Sequence, residues 1–167
     1  MPELAIIILI LLLLFLKSSV FTAEQQTTVV IERFGKFIRH AHAGLNFKIP
    51  LIERVAGRIS MRVRQLDVPV ETKTLDNVFV NVAVSVQFHV LDTKVYEAFY
   101  KLNNAEKQIT SFVFDVVRAS VPTMKLDDVF EKKDEIANNV KSELSDTMEK
   151  FGYGIVKALV TDINPDA

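Results

Sequence analysis

A chain of 167 residues, 49% hydrophobic and 25% charged, is long enough for one domain with a real core plus a short extra segment. It contains no Cys, which excludes a disulfide framework, a thiolate metal site and a cysteine nucleophile. The formal net charge is −1, and the basic residues are spread without interleaved aromatics, so nothing marks a nucleic-acid binder.

The first predicted element is a helix with no polar face. Leu4 to Leu16 (LAIIILILLLLFL) has no polar side-chain atom, and the apolar zone from Pro2 to Phe21 is interrupted only by Glu3, Lys17, Ser18 and Ser19. At about 1.5 Å per residue the strict run reaches roughly 20 Å, short of the ~30 Å hydrocarbon core unless Lys17 snorkels. A secretory signal peptide wants a basic n-region and a small-x-small cleavage site, whereas this chain offers Met1-Pro2-Glu3 and Val20-Phe21-Thr22-Ala23. A buried core helix is seldom Leu and Ile on every face. The expectation is a retained membrane anchor over residues 1–23, crossing fully or entering one leaflet, with Leu4, Ile8, Leu12, Phe15 and Leu16 in lipid. A folded domain then occupies residues 24–167.

Charge is unevenly placed. Residues 24–64 hold Arg33, Lys36, Arg39, Lys48, Arg54, Arg58, Arg62 and Arg64 against Glu24, Glu32 and Glu53, and the remainder is acidic. The excess of cations just after the apolar run predicts that the domain lies on the cytoplasmic side. Lys17, Arg33, Lys36 and Arg39 are candidate contacts to anionic headgroups, each worth roughly 1 kcal/mol when well placed. An ordinary solvated sheet face accounts for the same residues equally well.

Further along, Thr27 to Phe34 reads as a strand stopped by Gly35, Lys36 to His40 as its return, and Leu45 to Ile49 as a piece ended by Pro50. From Arg58 to Val70 the apolar alternation changes phase at Arg64-Gln65, which suggests a bulge or a strand that switches packing face. Val78 to Val90 is apolar at every even position, predicting a long one-sided strand of an antiparallel sheet. Its opposite face carries Asn81, Ser85, Gln87 and His89, candidates for a subunit interface.

Three helical stretches follow. The first, Thr93–Leu102, carries an aromatic stripe. The second is capped by Asn103 or Asn104, with Glu106 in capping-box spacing, and runs toward Pro122; the third opens at Asp127 or Asp128, with Ile136, Val140, Leu144 and Met148 inward. Ile155 to Ile163 reads as a closing strand. This order predicts an α+β domain, an antiparallel curved sheet with two or three helices packed on one side.

Chemistry is sparse. There is no nucleophile elbow or phosphate loop. His40-x-His42 has no third ligand at a fitting spacing, and Asp127-Asp128 is explained by a helix N-terminus. The expectation is no catalysis, no metal and no cofactor.

The motifs nevertheless form a recognisable series: Phe34-Gly35-Lys36, Ala43 to Val55 (AGLNFKIPLIERV), Asp67 to Val90, Val117 to Phe130 (VRASVPTMKLDDVF) and Phe151 to Pro165 (FGYGIVKALVTDINP). Behind an N-terminal membrane segment, they resemble the SPFH or band 7 superfamily of stomatins, prohibitins and flotillins, over nearly the whole chain after the anchor. Family members usually have Pro-Gly-Leu where Ala43-Gly44-Leu45 stands here. They also continue past the Asn164-Pro165 region into a long coiled-coil helix that this sequence does not include. The resemblance implies a non-enzymatic membrane scaffold that self-assembles into a large homo-oligomer, a ring or cage, organising membrane microdomains. Some relatives enclose or restrain membrane-bound AAA proteases, so the resemblance also implies such a protease as a candidate partner. The alternative expectation is a regulatory subunit that binds a membrane-bound AAA protease or channel directly, without a large cage.

Overall fold

The computed structural model describes residues 2–165, which fall into two compact units, Met1–Arg62 and Val63–Ala167. In the first, helix α1 (Pro2–Ser19) runs without a linker into β1 (Val20–Ala23), which pairs antiparallel with β4 (Gly44–Phe47). A second sheet has the order β3-β2-β5, with β2 (Thr27–Arg33) between β3 (Lys36–Ala41) and β5 (Glu53–Ser60). As the central strand, β2 is buried from Thr28 through Glu32, and Val29 and Ile31 pack with Ala23 and Ala41 in a small core edged by Phe21 and Val55. A three-stranded sheet is the least that has independent stability, and this one is short.

The second unit is larger and better filled. Its sheet is β6 (Arg64–Lys73), β7 (Phe79–Val90) and β8 (Tyr153–Pro165), antiparallel throughout with β7 central. The even-numbered face of β7, Val80 to Val90, is buried. Helix α3 (Ala105–Ser120) packs against β6, and α5 (Lys133–Lys150) packs against both β8 and α3. They bring in Ile109, Val113 and Val117, and Ile136, Val140, Leu144 and Met148, all fully buried. At roughly 1.5–3 kcal/mol per buried aliphatic side chain, this face supplies most of the unit's stability. The short helices α2 (Val95–Tyr100) and α4 (Leu126–Glu131) complete it.

The α+β class and antiparallel pairing agree with expectation, with three corrections. There are three separate sheets instead of one. The phase change near Arg64 is no bulge: one strand ends at Ser60, another begins at Arg64, and the boundary between the units falls between them. The transmembrane helix is the third, because among the described residues no helix is long and apolar enough to cross a membrane. Helix α1 has 18 residues, about 27 Å at 1.5 Å per residue, and Glu3 and Lys17 shorten its apolar part further.

Candidate membrane-contact site

Helix α1 has no face to bury. Its large side chains from Leu4 to Leu16, with Leu4, Ile8, Leu12, Phe15 and Leu16 among them, are all 46–64% exposed. Soluble monomers seldom show so large a contiguous apolar surface. The helix end is fastened to the sheet behind it. The Lys48 amide donates to the Ser19 carbonyl at 2.7 Å, and Val20 lies opposite Phe47 in the β1–β4 ladder. Leu45 and Phe47 on β4 are themselves exposed, so apolar surface continues past the helix.

Two turns add to it. Phe34-Gly35 is a two-residue hairpin turn between Arg33 and Lys36, with φ of 51° and 79°. This primed geometry suits the twist of a hairpin and suits Gly35, but a phenylalanine there is strained. Leu51, following the buried Pro50, has φ of 70°. Phe34 is 84% exposed and Leu51 97% exposed. Both line one shallow surface hollow together with Gly35, Ile52, Glu53 and Arg54, so the two tips are neighbours. Each such residue costs on the order of 1–3 kcal/mol of backbone strain. Neither recovers it by burial within the chain.

Beneath the tips sits Glu53, its side chain 4% exposed. It accepts from Arg33 Nη2 at 2.8 Å, Arg39 Nη2 at 3.4 Å and the Ile49 amide at 3.1 Å. The hydrogen bond from Arg33, then that from the Ile49 backbone, holds its carboxyl below the ordinary Glu range. Arg39 also donates to the Phe47 carbonyl, and Arg54 pairs with the buried Glu32 at 2.7 Å. Of the four cations expected to meet headgroups, Lys17 and Lys36 are exposed, while Arg33 and Arg39 are half-exposed and share Glu53.

The polar positions of β7 lie elsewhere, along the strand in the second unit. They are half-covered instead of open. Ser85 is buried and donates to Asp67 Oδ1 at 2.6 Å, and Gln87 donates to Gln65 at 3.4 Å. Asn81 Oδ1 and His89 Nδ1 are buried without a hydrogen-bond partner among the described residues, and the His89 ring lies against Gly154. The rings of His40 and His42 meet edge-on at 5.1 Å, and among the described residues no group of three or more His, Asp or Glu is placed to hold a metal ion.

Phe34, Leu45, Phe47 and Leu51 were missed by sequence reasoning. The available signal was a large apolar residue beside a turn former, as in Phe34-Gly35 and Pro50-Leu51, where turn chemistry normally selects small polar residues.

Comparison with known proteins gives a consistent result. Residues 21–167 match the SPFH domain / Band 7 family model. The sequence is 46% identical over 144 residues to hypersensitive-induced response protein 4 of Arabidopsis thaliana, covering 86% of this chain and 49% of that protein. It is 26% identical over 141 residues to mitochondrial stomatin-like protein 2 of Rattus norvegicus, covering 84% of this chain and 39% of that one. The chain thus spans half or less of the length of these relatives.

Proposed function

We propose that this chain, which belongs to the SPFH / Band 7 family, is a membrane-attached, non-catalytic scaffold whose copies assemble side by side and organise the membrane proteins around them. The observation that carries this is the uncovered helix α1, apolar on every face from Leu4 to Leu16, with Phe47 exposed on β4 and Phe34 and Leu51 exposed on two turns of the same unit. A helix of this length enters one leaflet instead of crossing. Burying a Leu, Ile or Phe side chain is worth roughly 1.5–3 kcal/mol, so α1 alone far exceeds the marginal attachment of a single acyl chain. Lys17 and Lys36 then lie at headgroup depth, on the cytoplasmic side according to the cation excess.

Family membership supports the scaffold role and the absence of catalysis. Lateral assembly follows from confinement, since copies tethered to one surface at a common height meet at high effective concentration. Asn81, Gln87 and His89 on β7 are the proposed contacts between copies, with Ser85 held inside by Asp67.

The test is fractionation of the whole protein. It is expected to resist alkaline carbonate extraction and to run in mild detergent as a particle of many subunits. Release as a lone soluble species removes the reading. Purification with one stoichiometric membrane protease, without a large assembly, would replace it by direct regulation of that enzyme.

A further inference from the structure

We infer that Glu53 is the positioning residue of the Phe34–Leu51 pair: one buried carboxylate fixes the backbone on both sides of the tips and holds them in posture to enter an anionic bilayer. This rests on the membrane reading above and adds to it a named control point. Three hydrogen bonds meet at this side chain, and a fourth is made by its own backbone amide. Arg33, which Glu53 faces across the β2–β5 ladder and binds at 2.8 Å, immediately precedes Phe34. The Ile49 amide donates to the carboxylate while the Glu53 amide donates to the Ile49 carbonyl at 2.8 Å, so the loop bearing Leu51 is closed twice. Arg39 ties the same carboxylate to the Phe47 carbonyl on β4.

A carboxylate this buried is costly unless fully paired, and pairing alone would be met by one arginine. Two are supplied, both half-exposed, leaving a surplus positive charge under two apolar prongs with Lys36 exposed beside them. A positive φ at Phe34 and at Leu51 persists only where the surroundings over-determine it, and Glu53 is what the two turns share. Hydrophobic prongs above surplus cations match the surface of an anionic phospholipid membrane.

The sequence has no Trp, so a tryptophan placed at Leu51 reports from one site. The experiment uses the whole chain on vesicles of phosphatidylcholine and phosphatidylserine, with quenching by brominated lipid, in L51W, L51W/E53Q and an L12W control on α1. L51W is expected to shift to the blue and be quenched, and L51W/E53Q to lose half or more of that quenching. Quenching at L12W is expected to stay unchanged when E53Q is added. Overall affinity for the anionic vesicles at low salt should hold or rise in E53Q, because a negative charge has gone. That split between affinity and depth separates positioning from loss of fold, which would lower both.

Equal quenching in L51W and L51W/E53Q overturns the role of Glu53 while leaving the tips in lipid. No quenching in L51W itself removes the tips from the membrane, and L12W reports on α1 separately. If E53Q unfolds the first unit, R39M keeps the Arg33–Glu53 bond and is expected to give intermediate quenching at L51W. Full quenching there overturns the inference too.

Discussion

The two units of this chain bury their apolar residues with opposite success. Residues 63–165 pack β7, α3 and α5 around their core and leave outside only scattered large apolar side chains, most exposed at Phe79, Leu75 and Val63 and less so at Phe130, Tyr96, Val156 and Tyr100. Residues 2–62 do the reverse, filling a core about as small as Val29, Ile31, Ala23 and Ala41 while exposing α1, Phe34, Leu45, Phe47 and Leu51. Charge divides the same way. Lys and Arg outnumber Asp and Glu eight to four in residues 1–62, and Asp and Glu outnumber Lys and Arg seventeen to twelve in residues 63–167. One unit buries its own apolar surface. The other leaves apolar side chains uncovered beside a cation excess, which is the contrast on which the proposed membrane attachment rests.

The largest test of that contrast is on α1. Replacing Ile8 and Leu12 together by Asp places two charges in lipid at about 2.5–3.5 kcal/mol each, so partition onto vesicles should fall by a hundredfold or more in a sedimentation assay. The second unit should keep its unfolding transition.

Gly152→Ala attacks the other unit. Gly152 has φ of 83°, and an added Cβ would stand 2.4 Å from the Lys94 carbonyl oxygen and 2.8 Å from the Ala98 nitrogen, both backbone atoms. About 2–4 kcal/mol of destabilisation is expected in denaturant unfolding, from strain and overpacking combined, without loss of vesicle binding.

A third prediction concerns acid. Because the folded-state pKa of Glu53 is depressed, its contribution to stability is fully present above the unfolded-state Glu pKa and fades as pH falls through the folded value. Amide exchange at Ile49 and Glu53 should therefore lose protection on acidification below the ordinary Glu range, and stay insensitive to pH around neutrality. The smallest effect is at a cap. The Asn104 side chain accepts from the Lys107 amide at 2.9 Å, so Asn104→Ala should cost about 1 kcal/mol in thermal unfolding of the second unit.

Legibility in the sequence followed the same division. Strand β7 and the inward faces of α3 and α5 were readable because periodicity reports burial, and there burial is complete. Strand β5 was not. It opens on the buried Glu53, and its interior holds Ala56, Gly57 and Arg58, so a pattern reader sees no alternation where a salt bridge does the work of a hydrophobe. The start of α4 was misassigned for a related reason. Asp127 and Asp128 do lie in its first turn, but the Leu126 amide donates to Asp76 Oδ1 at 3.2 Å from the distant β6–β7 turn. The Asp76 carboxylate is kept below the ordinary Asp range chiefly by its hydrogen bond from Thr74. Glu106 stands one residue too early for a capping box with Asn104, and pairs with Arg64 instead. Such long-range partners leave no local trace.

The splice between α1 and the strands has a mechanical corollary. Ser19 passes into Val20 with no intervening residue, and the Lys48 amide latches the joint from the other side. Such a joint resists swivelling. Under the proposed attachment, a tilt that a thinner or thicker leaflet imposes on the rod would pass to its mounting, and the attitude of the first unit would gauge the bilayer beneath it.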